Sequence, residues 1–209
     1  MLPVLAPWHS PTTRKTNLVA NIAAVVLGYL SGSFPSAFLV ARLIGKIDIR
    51  SEPDGRISAS VVHRKLGVLP FLLVVVLDVG MGVLAVVFAG LLTDSLPIIL
   101  AAGFMAVAGH NWPLFLKFRG GLGATTTYGV LVAVAWWQTL IAVAVGGIIY
   151  FTTKKSGLGT VILIAVITGI LIAQYILHTG PLILVFYPLI LILLMIIKNF
   201  QIKVAPIKP

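Results

Sequence analysis

Cysteine is absent from the 209-residue chain. That excludes disulfides, thiol catalysis and any zinc site built on thiolates. Charge is scarce: 10% of residues are charged, and only five are acidic against fifteen lysines and arginines. The four histidines, His9, His63, His110 and His178, lie far apart without metal-ligand spacing, so no metal is expected. No internal repeat is visible, which argues against a transporter built from duplicated halves. The segment Met1–Lys15 lacks the basic start, apolar core and small-residue cleavage site of a secretory leader.

What fills the chain is apolar. Hydrophobic residues make up 59% of it, and the mean hydropathy is +1.11. Soluble domains do not reach such values. Several runs approach the roughly 20 residues that cross a bilayer, and they are too continuous for the alternating strands of a membrane barrel. The expectation is an all-α polytopic membrane protein forming one unit over 1–209, with an N-terminal segment at 1–16 and a short, disordered basic tail at 199–209.

Seven spans are expected, at 17–41, 68–92, 97–116, 122–136, 138–153, 158–177 and 181–198. The fourth and fifth are separated at Trp136-Trp137-Gln138-Thr139, since tryptophan favours the interface. Thirteen of the fifteen basic residues fall after the odd-numbered spans and none after the even-numbered ones. Cytoplasmic loops carry the basic excess, so the N-terminus is expected outside and the C-terminus in the cytoplasm. The net charge of +10 therefore reads as orientation in the membrane, and no nucleic-acid partner is expected.

Four places carry polar chemistry. Gly32-Ser33-Phe34-Pro35-Ser36 interrupts the first span; such a break either packs as a kink or frees backbone groups for a cavity. The loop Arg42–Leu66 presents Arg50, Arg56 and Arg64 with small hydroxyl residues, either to a phosphate or to water. Asp78 sits inside an apolar run, where an ionisable group marks a functional site or an interhelical hydrogen bond. His63 and His178 read as loop residues without catalytic roles.

The fourth place is the most specific. From Gly109 to Thr126 the chain gathers His110, Trp112-Pro113, Lys117, Arg119, Gly120, Gly121 and Gly123 where an apolar span meets water. Glycines let backbone N–H groups approach an anion, and the following helix N-terminus favours negative charge.

These residues, in this order, resemble the bacterial family of acyl-phosphate-dependent glycerol-3-phosphate acyltransferases, the PlsY family. The likeness runs from about Gly28 to Asn199. Its motifs are matched by Gly32, Ser33 and Pro35, by Asp48 and Arg50, and by Gly109, His110, Trp112, Pro113, Phe115, Phe118, Arg119, Gly120 and Gly121. Ser156-Gly157-Leu158-Gly159-Thr160 resembles the family's Ser-Leu-Gly-Ser entry to span 6. Some positions depart. Leu122 and Met81 stand where the family has lysines, Arg56 where it has an asparagine, and Ile196 where it has a histidine.

The resemblance implies acyl transfer from acyl-phosphate to glycerol 3-phosphate, giving lysophosphatidate for phospholipid synthesis. No cofactor or metal is required. The implied setting is a multi-pass protein of the bacterial inner membrane with its active face cytoplasmic. Ser33 and His110 are the implied catalytic residues. Arg50, Arg64, Arg119, Gly120, Gly121 and Gly123 would hold phosphate, with Arg56, Asp78, Thr126 and Asn199 in support. An acyl-enzyme at Ser33 is not expected, because no base adjoins it. The departures leave a second possibility: a family member that binds an anionic lipid without turnover, or one using another acceptor through Asp54 and Arg56.

Overall fold

A computed structural model describes residues 17–51, 56–153 and 156–204. Among the described residues the regular structure is entirely helical. The helices are α1 (Leu18–Gly32), α2 (Ser36–Ile44), α3 (Ala59–Leu66), α4 (Val68–Leu92), α5 (Leu96–Asn111), α6 (Ala124–Val134), α7 (Trp136–Thr153), α8 (Ser156–Ile176) and α9 (Leu182–Val204). Five stretches of the described residues are long and apolar enough to cross a membrane: Leu18–Ile44, Val68–Leu92, Leu96–Leu116, Leu158–Ile176 and Leu182–Ile202. The shorter apolar helices Ala124–Val134 and Trp136–Ile149 lie where the fourth and fifth spans are expected. They part at Ala135, one residue before Trp136.

The first span is not one continuous helix. Pro35 has no N–H to extend α1, and the chain turns through Ser33 and Phe34 before α2 begins at Ser36. The loop expected over Arg42–Leu66 is likewise partly helical: α2 runs to Ile44, a 3-10 turn covers Ile49–Ser51, and α3 places His63 on a helix, its ring 5.2 Å from that of Phe71.

Apolar helices gain nothing from one another's hydrophobicity inside lipid, so their association depends on close packing. Small residues provide it. Gly28 and Gly32, spaced as GxxxG, lie against the backbone carbonyls of Ala102 and Ala106, and a Cβ at either would collide. The register advances together along both helices, so α1 and α5 run parallel. A second crossing joins α4 to α6, where Gly82 abuts the Thr126 carbonyl and Gly129 that of Val79.

Helices α7, α8 and α9 flank this frame. Gln138 donates to Gln174 across α7 and α8 at 2.8 Å. The buried Tyr187 of α9 donates to the Leu100 carbonyl of α5 at 2.8 Å. Helix α9 also corrects the expected disordered tail, because residues 199–204 continue it. Two contacts hold that end: Arg56 Nη2 donates to Asn199 Oδ1 at 3.2 Å, and Trp112 Nε1 to Gln201 Oε1 at 2.9 Å. Residues 205–209 lie outside the described residues, as do 1–16 and Asp54.

Candidate active site

The α1–α2 break and the loop after α5 enclose a small pocket. It is lined by Gly32, Phe34, Pro35, Ser36, Ala37, Ile57, His110, Pro113, Leu116, Gly120 and Gly121. Ser36 lines it, while Ser33 does not. Ser33 is fully buried against Gly109, and its Oγ has no hydrogen-bond partner among the described residues.

Asp78 organises the polar groups behind the pocket. It is 2% exposed. One carboxylate oxygen accepts from Ser36 Oγ and the other from Thr125 Oγ1, the latter at 2.7 Å. His110, 9% exposed, places Nδ1 3.8 Å from Asp78 Oδ1. Asp78 thus makes the interhelical hydrogen bonds, and it also faces a histidine.

The helix crossings explain this convergence. Asp78 adjoins Val79, whose carbonyl Gly129 meets, and Thr125 adjoins Thr126, whose carbonyl Gly82 meets, so both side chains lie at the close α4–α6 approach. The α1–α5 crossing carries His110 toward the same carboxylate. Sequence reasoning did not single out Ser36 or Thr125 as site residues; their signal was a hydroxyl immediately after the break and another in the first turn of α6.

The glycine-rich loop closes on the histidine. A Cβ on Gly121 would lie 2.6 Å from His110 Nε2, so only glycine permits this approach. Gly120 packs on the His110 carbonyl. Gly123 caps α6 with φ +78°, a left-handed conformation that glycine adopts without strain. His110 therefore directs Nδ1 toward Asp78 and Nε2 toward the pocket wall, the geometry of a proton acceptor backed by a carboxylate. Thr126 is fully buried, with Oγ1 unpartnered among the described residues.

The arginines are dispersed. Arg50 is clamped by Asp48, with Nη2 to Oδ2 at 2.6 Å, and its guanidinium lies 5.0 Å from the centre of the Phe38 ring. Hydrogen bonds from Arg50 hold the half-exposed Asp48 carboxyl at about 2. Arg56 is bound to Asn199. Arg64 and Arg119 are exposed, and none of these four arginines lines the pocket.

The fold and site define a polytopic helical membrane protein with a histidine–carboxylate pair at a helix break beside a glycine-rich loop. A model of the family described as glycerol-3-phosphate acyltransferase matches residues 22–204. The glycerol-3-phosphate acyltransferase of Shouchella clausii is 41% identical over 155 residues, covering 73% of this chain and 75% of the relative. That of Endomicrobium trichonymphae is 34% identical over 144 residues, covering 69% and 72%. Among solved structures, PlsY (YgiH), an integral membrane glycerol 3-phosphate acyltransferase in its glycerol 3-phosphate form, superposes with a TM-score of 0.74. It is 26% identical, with 87% of this chain and 89% of that chain covered. The chain belongs to the glycerol-3-phosphate acyltransferase family, and acyl transfer is the enzyme class that comes with membership.

Proposed function

We propose that the chain transfers a fatty acyl group from acyl-phosphate to the sn-1 hydroxyl of glycerol 3-phosphate, forming lysophosphatidate and inorganic phosphate. The hydroxyl oxygen attacks the acyl carbonyl carbon, and the bond to the phosphate leaving group breaks. His110 Nε2 takes the hydroxyl proton, and Asp78 steadies the resulting imidazolium. Family membership supports the reaction. The observation that carries the site assignment is His110, backed by Asp78 and facing the glycine loop.

Backbone N–H groups of Gly120, Gly121 and Gly123, with the start of α6, suit the phosphate or the developing oxyanion. Arg50, Arg64 and Arg119 serve as phosphate ligands, supported by Arg56, Thr126 and Asn199. Ser33 positions the acceptor. Acyl-phosphate already carries a good leaving group, so alignment and charge stabilisation suffice.

We further place the chain as one unit in the bacterial inner membrane, crossing it seven times. The N-terminus is outside, and the site opens to the cytoplasm. The distribution of basic residues supports this orientation.

The test is lysophosphatidate formation by the purified protein given acyl-phosphate and glycerol 3-phosphate, beside Arg50→Ala and His110→Ala. Product lost in both variants supports the reading. Absence of product from folded wild-type protein moves the function to another acceptor, or to binding of an anionic lipid.

A further inference from the structure

Lys198 stands apart from the other basic residues. It is only 6% exposed, near the end of α9. Its ammonium lies 5.3 Å from the centre of the Trp112 ring. Among the described residues it has neither a carboxylate nor a hydrogen-bond partner. A cation–π contact replaces little of the hydration that burial removes, so such a group is completed by an anion.

Its neighbours tie this part of α9 to the segments beside the pocket. One turn earlier on the same face, the Leu194 carbonyl accepts from Asn111 Nδ2 at 3.5 Å. Three residues later, Gln201 accepts from Trp112, which follows His110 by two positions. The next residue, Asn199, accepts from Arg56, whose neighbour Ile57 lines the pocket. The turn of α9 that carries Lys198 is thus tied to both segments that flank the pocket, and Lys198 itself lies against Trp112.

We propose that Lys198, from α9, binds a substrate phosphate in this chain. This rests on the acyltransferase reading. The phosphate belongs either to glycerol 3-phosphate or to the acyl donor, and the two are separated by their Michaelis constants.

The experiment compares wild type with Lys198→Met and Lys198→Arg. Lys198→Met should raise KM for one of the two substrates by about tenfold or more, the scale of one charge-assisted contact, with kcat nearly unchanged. Lys198→Arg should restore most of the loss. Unchanged KM for both substrates overturns the proposal. So does an equal loss of kcat in both variants with a lowered melting temperature, which marks Lys198 as a prop for Trp112. If wild type makes no lysophosphatidate, the acyltransferase reading fails and Lys198 is judged by binding alone. Melting-temperature stabilisation by inorganic phosphate, present in wild type and lost in Lys198→Met, supports the site, and stabilisation retained in that variant overturns it.

Discussion

Thr125 Oγ1 donates to Asp78 Oδ2 at 2.7 Å, and each residue stands one turn before a glycine of the α4–α6 crossing. The carboxylate beside His110 is therefore fixed by the helix frame. Asp78→Asn keeps the shape but removes the charge opposite the imidazole. It should lower kcat by about a hundredfold or more while leaving the helical circular dichroism intact. Turnover within a fewfold of wild type would remove Asp78 from the proton-transfer machinery.

Gly121→Ala tests the contact of the loop with the histidine. The added methyl would meet His110 Nε2 at 2.6 Å. Activity should fall by at least about tenfold, with a melting temperature close to that of wild type, because small displacements of positioning groups carry such penalties. A fully active variant would show that the loop does not need to sit this close.

The α4–α6 frame should be sensitive to volume. Gly129→Leu forces a side chain into the Val79 carbonyl. Overpacking of this kind destabilises by about 1–3 kcal/mol, read as a drop in melting temperature in detergent. Gly147→Leu, at a position with nothing near its Cβ, should be tolerated, and equal losses at the two sites would refute the packing account.

Arg56 and Asn199 join the segment before α3 to α9 at 3.2 Å. Single and double alanine variants should be non-additive, with a coupling of about 1 kcal/mol in melting stability. Strict additivity would mean the contact contributes nothing to holding the end of α9.

The Asp48–Arg50 clamp predicts a pH window. Asp48 is held at about 2, below its ordinary value of 3.8, by hydrogen bonds from Arg50. A carboxyl lowered on folding stabilises the fold above the unfolded value, and that contribution is lost as pH falls toward the folded one. Its carboxyl carbon resonance should stay in the ionised position from neutral pH down to about 3. In Arg50→Gln the titration should move up toward 3.8. An ordinary midpoint in wild type would show the clamp to be absent.

Much of the membrane architecture was legible because hydropathy registers lipid contact residue by residue, and Gly32, Ser33 and Pro35 announced the break in α1. His110 and the glycine run were legible because unusual residue types coincide there. Ser36 and Thr125 were not, since a hydroxyl in an apolar helix is ordinary until a crossing helix brings a carboxylate to it. The end of α9 escaped for a related reason. Lys198, Asn199 and Gln201 look like a solvated tail, and only Trp112 and Arg56, 86 and 143 positions distant in sequence, turn them into an ordered terminus. Arg50 reads as a wholly available cation, yet Asp48 two residues away already takes its Nε and Nη2.

The backbone-against-backbone crossings also set the terms on which this sequence can drift. Lipid is an indifferent neighbour, so the outward faces of α4 and α8 can exchange one aliphatic residue for another with little consequence. Gly28, Gly32, Gly82 and Gly129 have no such freedom, because every substitution adds an atom where a carbonyl already stands. Variation is thereby channelled to the periphery, and the spacing between Asp78, Thr125 and His110 is inherited from four glycines that carry no side chain.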